Sequence, residues 1–338
     1  MDRLIGDPRW CLHPVVVMGW LITWLRQAVE TLAGDRPWAL RLGGGAITLV
    51  LVVGSGGLGW GIEQLAMGSR GPIQGIAWLV LLIGLASALA GKSLEQGVQA
   101  VLDQLDDLPR ARQQLGWIVG RDTADLDRSA ILRALAETAS ENGVDGLFAP
   151  LFWMLVGAGL WAIHPAWPGP LSLAWAFKAA STLDSMLGYR RGKLAWLGTA
   201  GARLDDLLVW LPCRLVALSL PLASGQSLGK ALPRCGPTLQ AALREGAADP
   251  SPNAGVSQAA YALVGQVQLG GANCYGGQIK VKPILGAGLR PPDPAAIVEL
   301  LAMGRGLEQI WLGGAALLMA AGALAANGVA PFITKILS

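Results

Sequence analysis

Four stretches of the chain are apolar over about the length that a helix needs to cross a lipid bilayer. The hydrocarbon core of a bilayer requires about 20 apolar residues, and within it every backbone polar group must find a partner inside the protein. The chain is 53% hydrophobic and only 14% charged, whereas soluble domains are about 25% charged. We therefore predict an all-α, polytopic integral membrane protein that forms a single membrane domain over residues 1–338. The four stretches are residues 39–62, 72–90, 147–163 and 306–330.

Three further segments are apolar but interrupted by polar residues. Residues 171–187 are long enough to span a membrane, and the charges of Lys178 and Asp184 within them are costly unless they face a polar cavity. We expect this segment to be a fifth span with a functional face. Residues 207–223 contain an arginine and two prolines, which favours a re-entrant or interfacial segment. Residues 14–33 have the pattern of an amphipathic helix that lies along the membrane surface.

The distribution of basic residues predicts the orientation in the membrane. Lys and Arg are enriched in cytoplasmic loops, and the long or basic segments of this chain are residues 91–146, 188–206 and 224–305. If the interrupted segment before residue 224 does not cross, all three lie on one side and five helices span the membrane. We expect a multi-pass protein of the cell inner (plasma) membrane whose polar loops are helical and whose site faces the cytoplasm.

Composition and spacing exclude several classes of site. The net charge of +3 is small and the basic residues are mixed with acids, which argues against a nucleic-acid surface. Four widely separated cysteines without a C-x-x-C pair predict neither a zinc site nor a disulfide framework. Gly91-Lys92-Ser93 resembles the end of a phosphate-binding P-loop, but Ala86 stands where the motif requires glycine. A transmembrane helix, and not a strand, precedes it, so we reject a Walker A site.

Residues 120–146 carry the first polar cluster. The segment GRDT (residues 120–123) precedes Asp and Ser residues that can cap a helix, so a loop entering a helix is predicted. On that helix Glu137, Glu141 and Asp145 are spaced i, i+4 and i+8, which places three carboxylates on one face. Their repulsion would be relieved by a divalent cation or a cationic ligand. The alternative is a solvated acidic face.

A second acidic cluster follows the basic loop after residue 187. Asp205 and Asp206 lie beside Arg203, and Lys178 and Asp184 are one predicted helix earlier. Magnesium is commonly held by one or two carboxylates together with substrate phosphates. The pair alone is weak evidence, but together with the intramembrane charges it indicates a magnesium and phosphate site.

A third constellation lies in residues 249–260 and 269–283. Pro and Gly at this density mark turns, and Asn253, Asn273 and Tyr275 supply neutral hydrogen-bonding groups on them. Two glycine pairs would allow the backbone to approach a ligand closely. A plain irregular loop is the alternative.

Seven separated motifs recur in the same order as in one known family. Over residues 2 to about 285 they resemble the adenosylcobinamide-phosphate synthase family of cobalamin biosynthesis, known as CbiB or CobD. The resemblance implies a membrane ligase that uses ATP and Mg²⁺ to join adenosylcobyric acid to (R)-1-amino-2-propanol or its O-phosphate through an amide bond. The family commonly has Asn where this chain has Ser181. The motifs are DRLIGDPRWCLHPVVVMG, GRDT, ETASENGVDGLFAPLFW, STLDSMLGYR, ARLDDLLVWLPCRL, SPNAG and CYGG.

The resemblance also implies roles for residues within the motifs. Candidate catalytic residues are Arg121, Asp122, Glu137, Glu141, Lys178 and Arg203. Candidate substrate-binding or cofactor-binding residues are His13, Asn142, Tyr189, Asn253, Asn273, Tyr275, Gly276 and Gly277. Candidate metal ligands are Asp145, Asp184, Asp205 and Asp206. Expected partners are the two substrates, the lipid bilayer and other late enzymes of the pathway.

Two rival functions remain open at the level of sequence. A non-catalytic membrane sensor like AmpE, a distant relative of the family, has a similar membrane layout but does not need the acidic clusters. A transporter is suggested by intramembrane charges and a broken segment, although the charges gather at one predicted membrane face and no paired half-repeats are visible.

Overall fold

The computed structural model describes residues 13–337, with side chains up to residue 322. The N-terminal motif before His13, including Cys11, and the side chains of the last part of the predicted span 306–330 lie outside the described residues. The helices are α1 Pro14–Ala33, α2 Pro37–Gly68, α3 Pro72–Ser87, α4 Gly91–Leu102, α5 Leu108–Leu115, α6 Arg128–Gly143, α7 Ala149–Ile163, α8 Pro170–Leu187, α9 Leu194–Leu197, α10 Thr199–Ser219, α11 Leu228–Gly246, α12 Ala254–Gly265 and α13 Pro294–Leu337. A π-helical turn, Val144–Phe148, joins α6 to α7, a 3₁₀ turn, Leu220–Ala223, extends α10, and the strands are β1 Leu269–Tyr275 and β2 Gln278–Leu285.

Among the described residues, three helical segments are long and apolar enough to cross a membrane. They are Pro37–Gly68, Arg128–Ile163 and Thr199–Ala223, and α3 with α4 adds a fourth candidate if the bent pair is counted as one span. The polytopic, mainly helical architecture predicted from the sequence is therefore confirmed. The helix α8 is 18 residues long but is not one of these candidates, because its polar residues make it less apolar.

The third of these segments differs from the prediction. Residues 199–206, expected in a loop, and residues 207–223, expected to be re-entrant or interfacial, instead form one continuous helical segment that passes through Pro212. Proline cannot donate to the carbonyl four residues before it. The indole Nε1 of Trp153 donates to the Leu208 oxygen at 3.1 Å instead, so the helix continues without an unpaired carbonyl at that point.

The predicted span 72–90 is also shorter than expected. Helix α3 ends at Ser87, and the chain bends by 41° into α4. The amide of Ala90 donates to the carbonyl oxygen of Gly146 at 2.8 Å. The break therefore fastens the start of α4 to the π-helical turn.

Buried apolar side chains form two clusters that share α8. One cluster packs α1, α2, α3 and α9 against α8, and α2 approaches so closely that a Cβ at Gly59 would lie 2.9 Å from the Ser172 backbone. The other joins α4 to α7 with α10 to α13, and Phe177 of α8 belongs to it. Helix α8, with its two ionisable residues, consequently lies between the two halves of the molecule.

The segment 224–305 contains a β-hairpin that the sequence analysis did not predict. Strands β1 and β2 pair antiparallel, with Tyr275 opposite Gln278. Gly276 and Gly277 form the two-residue turn with φ values of 58° and 76°, a conformation that favours glycine in tight hairpins. The segment therefore contains two strands in addition to its helices.

The N-terminal helix α1 has the predicted amphipathic character. Met18 and Ile22 are buried, while Trp20 and Trp24 are exposed. The exposed tryptophans suit a membrane interface, where rings with a polar edge are enriched. The helix itself is confirmed, and its position along the membrane surface stays a prediction.

Candidate active site

One continuous helical segment carries the three predicted stacked carboxylates. Asp127 caps it by accepting a hydrogen bond from the Ala130 amide at 2.7 Å, as the cap-rich sequence indicated. Asp145 lies in the π-helical turn, a local widening that is frequent at functional sites. From this segment each of the three carboxylates meets a different environment.

Glu137 anchors the β-hairpin. Its Oε2 lies 2.5 Å from Nη2 of Arg121, with 8% of the arginine side chain and 1% of the glutamate side chain exposed. Its Oε1 accepts a hydrogen bond from the Gly270 amide at 2.9 Å, and Arg121 Nη1 donates to Asn273 Oδ1 at 2.7 Å. A buried arginine therefore compensates the charge of Glu137.

Asp122 holds the hairpin turn. Its Oδ2 accepts a hydrogen bond from the Gly277 amide at 2.8 Å, and its own amide donates to the Cys274 carbonyl. The Gly277 N–H, followed by the Cys274 thiol and the Gly276 N–H, lowers the pKa of Asp122. The segment GRDT thus fastens both the middle and the tip of the hairpin to the start of the long helical segment.

Glu141 belongs to a second buried polar group, together with residues from α12, β2 and the loop after α11. Gln258 Nε2 donates to Glu141 Oε2 at 2.6 Å, and Lys282 Nζ lies 3.3 Å from Asp249 Oδ2. Burial lowers the pKa of Lys282, but the charges of Glu141 and Asp249 outweigh this and raise its pKa above the usual value. Lys282 therefore compensates two acids at once.

Asp145 lies in a third group, which carries an excess of negative charge. Its charge interacts with those of Asp205, Glu141 and Asp184, and with the single nearby cation Lys178 among the interactions described. The Oδ1 atom of Asp205 is buried and has no hydrogen-bond partner among the described residues. Carboxylates this close disfavour one another's charged form, and a positively charged ligand would relieve that repulsion.

A cavity of about 380 Å³ opens beside this acidic group. Residues of α4, of the long helical segment and of α8 line it, so it lies where the α3–α4 bend meets the two polar helices. Its lining combines one lysine and one carboxylate with an amide and several hydroxyl groups. The lining residues are Ala90, Ser93, Leu94, Trp117, Ile118, Asn142, Asp145, Gly146, Lys178, Ser181 and Ser185.

Asn253 and Arg214 hold the part of α10 that carries Asp205 and Asp206. Asn253 Nδ2 donates to the Asp206 carbonyl at 2.8 Å, and its Oδ1 accepts from Arg214 Nη1 at 2.5 Å. Arg214 Nη2 also donates to the Pro252 carbonyl at 3.0 Å. The SPNAG segment therefore positions the acidic helix, and the Asn253 side chain is committed to that helix.

The donor atoms of the acidic group can supply part of a metal site. Among the described residues, no three His, Cys, Asp or Glu side chains are grouped so as to hold a metal ion by themselves. Magnesium usually keeps water or phosphate ligands and needs only one or two carboxylates. The unpartnered Asp205 oxygen and the neighbouring Asp184 fit such a partial set of ligands.

Three predicted site residues lie outside these groups. His13 caps α1, where its Nδ1 accepts from the Val15 amide at 3.3 Å. Tyr189 is exposed and lies under the guanidinium of Arg191, and Arg203 is exposed on α10. Among the described residues, these contacts of His13 and Tyr189 do not reach the acidic group.

Sequence reasoning missed several residues that complete the site. Gln258 and Asp249 lie in the SPNAG region, and Lys282 lies on β2, where the basic residues were assigned only to membrane orientation. An isolated Gln in an apolar helix is a usable signal, because burying an unpaired amide is costly. The contacts of Lys282 depend on the hairpin register, which the sequence analysis did not predict.

Comparison of the sequence with known proteins identifies one matching family. Residues 1–303 match the family model described as CobD/Cbib protein. The chain is 43% identical to cobalamin biosynthesis protein CobD of Synechocystis sp. (strain ATCC 27184 / PCC 6803 / Kazusa), over 89% of this chain and 84% of that protein.

Two enterobacterial proteins show similar agreement. Cobalamin biosynthesis protein CobD of Klebsiella pneumoniae subsp. pneumoniae is 39% identical over 86% of this chain and 85% of its own length. Cobalamin biosynthesis protein CbiB of Salmonella typhimurium is 39% identical over 85% of this chain and 84% of its own length. No solved structure matches the chain.

Proposed function

The chain belongs to the CobD/CbiB family of cobalamin biosynthesis proteins, and from this premise we propose that it is an ATP-dependent ligase. The proposed reaction joins the free carboxylate of adenosylcobyric acid to (R)-1-amino-2-propanol or its O-phosphate and yields adenosylcobinamide or its phosphate. The proposed site faces the cytoplasm from the inner membrane, where ATP and both substrates are available.

The observation that carries this proposal is the acidic group beside a polar cavity. Asp145, Asp184 and Asp205 act electrostatically on one another with Lys178 close by. Such a group is costly unless it binds a cation or a cationic substrate. An amine substrate and a magnesium-bound nucleotide both meet this requirement, whereas a sensor without a ligand does not.

Amide formation from a carboxylate in water needs activation. In the proposed first step, a carboxylate oxygen of the corrinoid attacks the γ-phosphorus of ATP, and the bond to the β-phosphate oxygen breaks to release ADP. In the second step, the deprotonated amine attacks the acyl carbon, and the C–O bond to phosphate breaks. One proton leaves the ammonium before attack and another leaves the nitrogen as the amide forms. In this proposal a carboxylate such as Asp145 accepts one of them.

The charged residues would divide these tasks. Lys178 stabilises phosphate oxygens, and Asp205 with Asp184 supplies the protein oxygens for magnesium. Magnesium, when bound, neutralises the charge on the transferring phosphoryl group. Arg121 and Glu137, which pair with each other, fix the hairpin and do not bind phosphate in this proposal.

The test is an assay on detergent-purified protein with adenosylcobyric acid, aminopropanol phosphate, ATP and Mg²⁺, followed by mass spectrometry of the amide product. We expect product only when ATP is present. Asp205→Asn should lower the rate at least about a hundredfold, since it removes one charge at a site of charge development. Asp103→Asn, a matched change at an exposed aspartate, should leave the rate unchanged.

Two results would count against the ligase. One is the absence of product with both the phosphorylated and the free amine in protein that melts cooperatively. The other is ATP-independent uptake of a corrinoid by proteoliposomes, which would identify a transporter.

A further inference from the structure

A separate cavity, of about 420 Å³, lies between the C-terminal half of α1 and the loop after α8. It shares no lining residue with the cavity beside the acidic group. Basic side chains predominate in its lining, which contains Arg26, Arg191 and Lys193 but only one acid, Glu30. Arg26 Nε lies 2.7 Å from Glu30 Oε1, so these two charges compensate each other. Arg191 and Lys193 are therefore the excess positive charges of the cavity.

Both excess charges remain available to a ligand. Lys193 Nζ lies 3.1 Å from Asp35 Oδ1, but 92% of the Asp35 side chain is exposed, and exposed pairs contribute little to stability. The guanidinium of Arg191 has an aromatic contact, and among the residues that the structure describes no carboxylate pairs with it. The neighbouring Arg190 differs, because its charge acts on Asp206. The cavity thus offers two cationic groups to an anion.

The cavity lies at one end of the helices that surround it. Met186, in the last turn of α8, lies next to Gly19 of α1, where a Cβ would be 3.6 Å from the methionine sulfur. Val29 of α1 contacts Gly43, near the start of α2, so closely that a Cβ there would clash with it. Helix α1 therefore lies across the end of α8 and the start of α2, at the level where spanning helices reach the lipid headgroups. The basic loop assigns this end to the cytoplasm.

Exposed apolar side chains flank the cavity along the chain. Leu32 follows Glu30 in the last turn of α1, and Trp38 and Leu42 lie in the first two turns of α2. They are 85%, 64% and 68% exposed, respectively. Grouped apolar surface of this kind marks contact with a membrane or a partner, and tryptophan is enriched at the level of the headgroups. A ligand that matches both features has an anionic head and an apolar tail.

We propose that this cavity binds the headgroup of an anionic phospholipid. The phosphodiester accepts hydrogen bonds from Arg191 and Lys193, and the acyl chains lie against the exposed side chains of α1 and α2. Basic pockets between membrane helices on the cytoplasmic side are typical sites for anionic headgroups, and a guanidinium can bind two phosphate oxygens at once. A zwitterionic lipid has the same phosphate, but its cationic head is repelled by the two basic side chains. The site does not depend on the proposed ligase function.

Native mass spectrometry of the full-length chain in detergent tests the proposal. Phosphatidylglycerol and phosphatidylcholine with the same acyl chains are titrated separately, and the affinity for the first bound lipid is measured. Wild type should bind phosphatidylglycerol more tightly. Each basic residue near a membrane surface contributes about fivefold to the attraction of anionic lipid. The double variant Arg191→Gln with Lys193→Gln should therefore weaken phosphatidylglycerol binding at least about tenfold and leave phosphatidylcholine binding unchanged.

Two further double variants separate the site from general electrostatic attraction. Arg110→Gln with Lys280→Gln removes the same charge from exposed positions elsewhere and should change the affinity for neither lipid. Arg191→Lys with Lys193→Arg keeps both charges and should retain most of the phosphatidylglycerol affinity. An equal loss of that affinity in the Arg110 and Lys280 variant would show that net charge alone attracts the lipid, and the proposal would be wrong.

The phosphate could also come from a soluble molecule, so glycerol 3-phosphate and ATP are titrated in parallel. If Arg191→Gln with Lys193→Gln weakens the binding of either one while phosphatidylglycerol binding stays at the wild-type level, the cavity takes a soluble phosphate and the proposal is overturned. Equal affinity of wild type for the two lipids overturns it as well. Melting temperatures without added lipid check the fold of each variant. Should the double variant fail to fold, Arg191→Gln alone is expected to bind phosphatidylglycerol about fivefold more weakly.

Discussion

At the scale of single residues, buried charges with defined partners hold the parts of the site in place. Glu63 is fully buried in α2 and accepts hydrogen bonds from the amides of Gly169, Leu171 and Ser172 at 2.6–3.1 Å. These amides lie at the start of α8, where the first N–H groups of a helix have no partner within it. A residue distant in sequence therefore caps the helix that carries Lys178 and Asp184.

Substitution of Glu63 tests this cap. Glu63→Gln replaces one accepting oxygen by an NH₂ group and should leave at least one of the three amides unpaired, at a cost of about 1–3 kcal/mol. We expect a decrease of several degrees in the melting temperature of the detergent-solubilised protein. Glu299→Gln, an exposed change of the same kind, should have little effect, and equal melting temperatures for the two variants would refute the cap.

The buried pair of Arg121 and Glu137 permits a second test. Removing one partner leaves an uncompensated buried charge, which costs about 3–5 kcal/mol. Arg121→Met and Glu137→Met should each destabilise the protein strongly, and the double variant should be less destabilised than the sum of the two. The same cycle on the half-exposed pair Arg290 and Asp293 should give a small coupling. Additive effects at the buried pair would contradict the proposed anchor.

At the scale of elements, apolar length predicted the helices well because a bilayer leaves few alternatives to a helix. The prediction failed at Pro212, which cannot donate a backbone hydrogen bond to the Leu208 carbonyl. The indole of Trp153, from another helix, donates to that carbonyl instead. Proline in a sequence signals a lost hydrogen bond, but only the tertiary structure reveals the substitute donor.

A double-mutant cycle tests whether the Trp153 indole compensates for the N–H group that Pro212 lacks. Trp153→Phe removes the indole donor and should destabilise the protein by about 1–3 kcal/mol, because the Leu208 carbonyl then lacks a partner. Pro212→Ala restores the backbone N–H, so Trp153→Phe should cost markedly less in that background. Equal costs in both backgrounds, measured by thermal unfolding in detergent, would show that the indole does not compensate the proline.

At the site, too, the partners of each side chain could not be predicted from local sequence, as the hairpin and the acidic group show. The three carboxylates at i, i+4 and i+8 were predicted to lie on one helix face, either solvated or with a cation or cationic ligand that relieves their repulsion, and the helical segment that carries them is present. Their partners could not be predicted, because Arg121, Gln258 and Lys178 come from three other parts of the chain. Local spacing fixes the face of a helix, whereas the neighbour opposite that face depends on topology.

At the scale of the whole molecule, α8 contributes side chains to both apolar clusters. At 1.5 Å per residue its 18 residues measure about 27 Å, close to the thickness of the hydrocarbon core. Its N-terminal end is capped by Glu63, and its C-terminal end lies near the basic residues after Leu187. The two ends should therefore be exposed on opposite sides of the membrane.

Labelling of introduced cysteines checks this orientation. In a chain whose four native cysteines are replaced by serine, Trp167→Cys before α8 and Arg191→Cys after it are treated with a membrane-impermeant maleimide. We expect Trp167→Cys to react in intact cells and Arg191→Cys only in inverted vesicles, since basic loops face the cytoplasm. Labelling of both from the same side would exclude α8 as a span.

The anchor between Arg121 and Asn273 joins residues that are 152 positions apart in the chain. Synthesis proceeds at about 5–20 residues per second, so Arg121 leaves the ribosome roughly 8–30 s before its partner exists. Before Asn273 is made, Arg121 and Glu137 have both been synthesised and can pair. The hairpin that both residues contact has not yet been made. The half of the protein that carries the candidate site is therefore completed late in biosynthesis, after the first membrane helices have been made. A nascent chain released early would expose Glu137 without the strand that contacts it.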